Sequence, residues 1–131
     1  MRFMMMVIYE PATPVPTAEA LAKMMEYNRA LRKAGVLLAL DGLLPNWTAA
    51  RISYADGKPN VTDGPFAETK EVIGGYWIIQ VHSREEAIEW ARRAPMSNNE
   101  RIEVRQIHQL PDFPEDAQRV AAGFEHLNVV H

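Results

Sequence analysis

The sequence predicts an α+β domain of the ferredoxin-like kind, a βαββαβ sandwich with an inserted β-hairpin, and three observations lead to it. Apolar runs of strand length stand at 2–9, 36–44, 75–82 and 102–107. Two segments with apolar residues at three- and four-residue spacing, 18–33 and the stretch opened by Ser83, read as helices. An Asp-Gly pair at 56–57 separates two short β-prone runs, which is a hairpin signal because both residues tolerate positive φ. The order is then β-α-β, hairpin, β-α-β, and right-handed crossovers turn it into a four-stranded antiparallel sheet with both helices on one face.

Each element has its own local cause. Residues 2–9 are apolar almost without a break and stop at Glu10-Pro11, as in an inner strand buried on both faces. Three prolines between Pro11 and Pro16 exclude helix and inner strand, so a surface loop follows. Thr17 is placed to cap the first helix, Glu19 puts negative charge in its first turn, and Gly35 supplies the left-handed residue that closes it. Leu21, Met24, Asn28 and Leu31, with Met25 alongside, form the face expected against the sheet. Residues 36–44 read as the next strand, with Asp41-Gly42 a bulge within it. The hairpin strands are 51–55 and 59–62. Residues 75–82 carry apolar side chains on both faces and suit another inner strand. Ser83 and Glu86 have capping-box spacing, Ala87, Trp90, Ala91 and Ala94 make a buried stripe, and Pro95 ends the second helix. Alternation over 102–107 completes the sheet.

The domain is expected to span 1–110. Residues 111–131 form a C-terminal extension in which Ala117, Val120, Ala121, Phe124 and Leu127 fall at helical spacing. It is expected to be helical and to pack on the domain or on a partner. Two helices shelter only one face of such a sheet, whereas the strands are apolar on both, so a face-to-face homodimer is expected.

Composition narrows the function. A length of 131 residues with 47% hydrophobic and 24% charged content suits one globular domain. The net charge of -3, with no basic block, argues against a nucleic-acid partner. The absence of cysteine removes disulfides, thiolate nucleophiles and Cys-ligated zinc, and a cytoplasmic location is the expectation that fits it. Glu10-Pro11 cuts short the apolar start, with no small-residue cleavage site after it, and no stretch reaches the ~20 apolar residues that cross a bilayer. No membrane partner is expected.

The segment Val61-Thr62-Asp63-Gly64-Pro65-Phe66-Ala67-Glu68-Thr69-Lys70-Glu71 is the most heavily specified stretch. Asp63 is the candidate catalytic residue, a general acid or base whose pKa would rise if Pro65 and Phe66 desolvate it. Arg51, Phe66, Glu68, Lys70 and Trp77 are the candidate ligand-binding residues around it, in a cleft between sheet and hairpin. The alternative role for an aspartate before glycine is to hold a turn. A second reading places a small apolar or aromatic ligand in a pocket lined by Tyr27, Trp47, Phe66 and Trp77, against the alternative that these aromatics are core or dimer contact. No metal site is expected, because His82, His108, His126 and His131 lack a compact ligand spacing. Ser53, Ser83 and Ser97 have no nucleophile-elbow setting, and Gly74-Gly75 lacks the third glycine of a phosphate loop, so no cofactor is expected.

Those eleven residues, together with Arg2-Phe3-Met4, Gly35-Val36-Leu37, Gly74-Gly75-Tyr76, Ala87-Ile88-Glu89-Trp90-Ala91 and Ile102-Glu103-Val104-Arg105, resemble the YCII-related superfamily, in the branch named for its Asp-Gly-Pro-Phe motif. The resemblance covers about residues 1–110. It implies a dimer of the dimeric α/β-barrel type. It also brings an association with extracytoplasmic-function sigma factors, near or fused to which some members are encoded. Related proteins carry a His and Asp pair proposed as an active site. Asp63 matches the acidic position, whereas 21–33 contains no histidine. The functional expectation is a small-molecule-binding or regulatory dimer, with an Asp63-dependent enzyme and a sigma-factor interaction module as alternatives.

Overall fold

In the computed structural model residues 1–122 are described, and they form a mixed α+β fold built on a four-stranded antiparallel sheet and three α-helices. The strands β1 (Arg2–Tyr9), β2 (Leu37–Gly42), β5 (Val72–Gln80) and β6 (Glu100–Gln106) lie in the order β2-β5-β1-β6. Strands β3 (Ala50–Ala55) and β4 (Lys58–Asp63) hydrogen-bond to each other in a separate two-stranded sheet. The helices are α1 (Ala18–Lys33), α2 (Arg84–Arg92) and the short α3 (Glu115–Ala121).

Register decides what each face of the sheet carries. Met5 pairs with Trp77 and Val104, and its neighbour Met6 pairs with Tyr76 and Glu103. Directly opposed residues share a face and successive ones alternate. Phe3, Met5, Trp77 and Ile79 therefore face one way, and Met4, Met6, Tyr76 and Ile78 the other. The first face is closed by α1 and α2, where Tyr27, Leu31 and Ala87 join Phe3, Met5, Trp77, Ile79 and Val81 in the buried core.

Thr17 caps α1 as expected, its Oγ1 accepting from Ala20 N at 3.1 Å. At the other end Gly35 takes φ +75°, and Gly35 N and Val36 N donate to the Arg32 and Leu31 carbonyls, the double closure that a left-handed glycine permits. The buried stripe differs from the expected one. Leu21 and Met25 are exposed, while Tyr27 and Leu31 are buried and Met24 and Asn28 half-buried. The 24-27-28-31 spacing that the sheet selects is as helical as the expected set, and Tyr27 wins the central place because its ring has both a packing partner and a hydrogen-bond acceptor.

In α2 the Ser83 Oγ accepts from Glu86 N at 3.1 Å, but Glu86 Oε2 accepts from His82 N, one residue before the cap, instead of closing the expected reciprocal box. The bulge expected at Asp41-Gly42 is also displaced. Asp41 and Gly42 pair regularly with Tyr76 and Gly75, and the irregularity lies between Leu37 and Ala39. The shift lets Leu37 and Leu40 share the helix-covered face, opposite Ile79 and Trp77, and sets Asp41 beside Tyr76. The strand expected over 36–44 closes at Gly42. In the C-terminal extension α3 has Ala117 and Ala121 half-buried and Val120 exposed, while Phe124 and Leu127 lie outside the described residues.

Candidate functional site

The hairpin forms where the sequence placed it. Asp56 and Gly57 adopt φ 53° and 73°, the pair of left-handed residues whose twist matches that of the flanking strands. Ala50 pairs with Asp63 at the open end, and immediately beyond it Gly64 N donates to Ala49 O at 2.7 Å. A Cβ on Gly64 would overlap the Asn46 carbonyl oxygen and sit 3.2 Å from that of Ala49. Glycine is therefore required here by close backbone approach to the 3-10 turn Asn46–Thr48. The Gly64–Pro65 peptide is cis. Beyond it the Phe66 ring is half-buried beneath the Arg51 guanidinium, 3.9 Å from its centroid.

Of the expected cleft, then, the structure brings Arg51 and Phe66 together. Asp63, Glu68 and Lys70 are exposed and near in sequence, so the protomer does not supply the desolvation expected of Asp63. Trp77 is elsewhere. It is 4% exposed on the helix-covered face, its Nε1 donates to Asn28 Oδ1 at 2.8 Å, and its ring meets Tyr27 edge-on at 5.5 Å. The Tyr27 hydroxyl donates in turn to Trp90 O at 2.6 Å, and burial pushes its pKa up to about 12, against a smaller lowering by Arg93. The pocket expected from Tyr27, Trp47, Phe66 and Trp77 is thus dispersed: two of the four are core, Trp47 is 64% exposed, and Phe66 lies under Arg51.

The face away from α1 and α2 holds a pair the sequence reading missed. Tyr76 Oη donates to Asp41 Oδ2 at 3.0 Å, and this hydrogen bond to a carboxylate raises the phenol pKa above its ordinary value. Around it on the same face stand Met4, Met6 and Ile78. Met6 and Ile8 are buried, each 8% exposed, although the core residues of α1 and α2 lie on the other side. The β6 edge of this face is charged: Arg101 reaches Glu71 at 2.9 Å and Glu10 at 3.9 Å, and Arg105 lies 3.9 Å from Glu103. These pairs are about half exposed or more, so each is worth at most ~1 kcal/mol.

The Gly74-Gly75 pair that precedes Tyr76 has two separate causes. Gly74 is the extra residue of a bulge opposite Val7 and Ile8, and a Cβ there would lie 2.6 Å from the Tyr9 ring. A Cβ on Gly75 would lie 2.9 Å from Asp41 O, so this glycine lets β2 approach β5 closely enough to present Asp41 to Tyr76. On the opposite flank a groove of about 410 Å³ runs between α2 and β6, with Ile88, Ala91, Met96 and Val104 among its walls and Arg92 and Glu100 beside them. Among the described residues no three of His, Asp and Glu gather into a metal-binding group, and no helix is long and apolar enough to cross a membrane.

Residues 1–111 match the family described as the YCII-related domain. The chain belongs to the YCII-related family. It is similar to an uncharacterised protein of Rhizobium meliloti (strain 1021), with 39% identity over 66 residues that cover 50% of this chain and 53% of the relative. The aligned part thus spans about half of each protein. In this YCII-related protein the matched region contains all six strands and both sheet-packed helices, and ends before α3. What the face opposite α1 and α2 can do chemically follows from Tyr76 and Asp41: a phenol that donates or accepts, and a carboxylate with a second oxygen for a ligand's N–H or O–H. The sequence signals were present as Gly-Gly-Tyr and as Asp41-Gly42, but their meeting depends on the register between two strands 35 residues apart, which no local pattern encodes.

Proposed function

We propose that this protein is a small-molecule-binding homodimer of ferredoxin-like protomers, with its ligand held around Tyr76 and Asp41 on the sheet face away from α1 and α2. The order β2-β5-β1-β6, with β1 and β5 central and two helices on one side, supports the ferredoxin-like reading. Met4, Met6 and Ile78 around a single phenol–carboxylate pair are the mixture of apolar wall and few polar groups that small-molecule sites use. Two such faces brought together exclude water from the strip and strengthen the polar contacts between them. The observation that carries the reading is the 3.0 Å Tyr76–Asp41 hydrogen bond on that strip, which joins two polar groups where sheet formation alone needs neither. The ligand class that fits is a compact aromatic or aliphatic molecule with one N–H or O–H donor for Asp41. A catalytic role for Asp63 has no such support, since its own protomer leaves it exposed.

Thermal-shift screening tests this with small aromatic and aliphatic amines and alcohols. Ligands that bind the folded form should raise Tm with concentration, in line with ~2.7 kcal/mol of stabilisation at a hundredfold excess over Kd. The same compounds should bind Tyr76→Phe and Asp41→Asn at least ~10-fold more weakly, the loss of one good hydrogen bond. Hits that ignore both substitutions, or a library without a hit, would sink the proposal.

A further inference from the structure

We infer that Met25 is an oxidation site for peroxides, and that its sulfoxide is read in the core through Asn28 and Trp77. The chain has seven methionines and no cysteine, so with no thiol present the thioethers are its sulfur groups open to a peroxide. Met5 and Met6 are 0% and 8% exposed, whereas Met25 is 49% exposed on α1. This sulfur is also engaged. Asn28 Nδ2 donates to Met25 Sδ at 3.9 Å, and Asn28 Oδ1 accepts from the buried Trp77 Nε1 at 2.8 Å. An indole N–H only donates, so it draws the Asn28 carbonyl inward, and the amide nitrogen is thereby aimed outward at the sulfur.

A thioether is a weak acceptor, so the Asn28 amide nitrogen is poorly used while Met25 is reduced. With hydrogen peroxide a sulfur lone pair attacks one oxygen, the O–O bond breaks as the S–O bond forms, sulfur gives up two electrons, and the second oxygen takes the proton and leaves as water. The oxygen gained lies one bond beyond the sulfur. Starting from 3.9 Å, that step towards Asn28 Nδ2 brings a polar acceptor into the ~2.7–3.2 Å range of a full N–H···O bond without moving α1. Met25 is half in water, so its polar product gives up little buried apolar contact, unlike a sulfoxide at Met5 or Met6. The sulfoxide therefore holds the Asn28 amide in the orientation that Trp77 uses. From Trp77 the contacts run on to Tyr27, edge-on at 5.5 Å, and through the Tyr27 hydroxyl to Trp90 O on α2. Oxidation at Met25 thus tightens the joint between α1, the sheet and α2.

Peptide mapping by mass spectrometry during hydrogen peroxide treatment of the full-length protein should show Met25 oxidised at least ~10-fold faster than Met5 and Met6. In heteronuclear NMR spectra the Trp77 indole proton, identified by its loss in Trp77→Phe, should exchange with solvent at least ~2-fold more slowly after oxidation, the lower end of one added hydrogen bond. The Asn28 side-chain amide resonances should shift with it. Met25→Leu, in which the exposed Met1 still oxidises, should show neither change under the same treatment, and methionine sulfoxide reductase should reverse both in the wild type. Met25 oxidised no faster than Met5 would mean that its sulfur is covered, and overturns the site. A sulfoxide at position 25 that leaves Trp77 exchange unchanged or faster, or a Met25→Leu protein that responds like wild type, overturns the relay through Asn28.

Discussion

Asn28→Ala should change sign as a stability effect depending on whether Trp77 is present. Trp77 is 4% exposed, and its indole N–H has Asn28 Oδ1 as acceptor at 2.8 Å. Removing the acceptor leaves a buried donor unpaired, at a cost of about 1–3 kcal/mol. Position 28 also lies inside α1, where alanine is a better helix former than asparagine by up to ~0.7 kcal/mol. The net expectation is about 1–2 kcal/mol of destabilisation. In a Trp77→Phe background no indole donor remains, so the same substitution should be neutral or stabilising by up to ~0.7 kcal/mol. The coupling energy between the two sites is then at least ~1 kcal/mol, above the ~0.3–0.5 kcal/mol error of additivity. Urea unfolding followed by far-UV circular dichroism measures all four corners of the cycle without relying on tryptophan emission, and constant m-values license the comparison. Equal costs of Asn28→Ala in the two backgrounds would refute the reasoning and show that the hydrogen bond adds nothing beyond packing.

Two further outcomes follow from the same physics. Gly64→Ala forces a Cβ onto the Asn46 carbonyl oxygen, a backbone atom that cannot rotate away, so the ribbon base must shift at a cost of about 1–3 kcal/mol. Amide exchange should accelerate in β3 and β4 while the Phe3 and Ile79 amides keep their protection; unchanged hairpin protection would contradict this. Tyr27 has a folded-state pKa of about 12 against 10.0 for the free phenol, so the protonated form is the one the fold favours. Its contribution is complete below pH 10 and is lost as pH rises from 10 towards 12, on the order of 2–3 kcal/mol in all. Tyr27→Phe should flatten that alkaline decline, and a decline of the same slope in both proteins would assign it to other groups.

Much of the architecture is legible locally because its causes are local. Thr17, Gly35, Ser83 and the Asp56-Gly57 turn each act within a few residues of themselves, and their caps and dihedrals stand where the side-chain chemistry puts them. The helix stripe is harder. Leu21 and Tyr27 both satisfy a helical period, and the choice between them is made by Trp77, Asn28 and Trp90, which lie on three different elements. The Asp41–Tyr76 pair is harder still, since one residue of register slip in β2 would send Asp41 to the opposite face.

The segment around Asp63 teaches why a densely specified stretch need not be a reaction centre. Its residues are specified by what surrounds them: Asp63 ends β4 opposite Ala50, Gly64 makes room for the Asn46 carbonyl, and Phe66 supports Arg51. Each of these contacts serves the base of the two-stranded ribbon, which is reason enough for the stretch to be densely specified. Tyr76 and Asp41 show the reverse. They satisfy no helix cap or turn, and the close approach that joins them requires a glycine at 75 whose only visible effect is to let β2 come near. Polar groups held together on a face that packing alone would leave apolar point to a ligand more directly than motif residues that the hairpin base already employs.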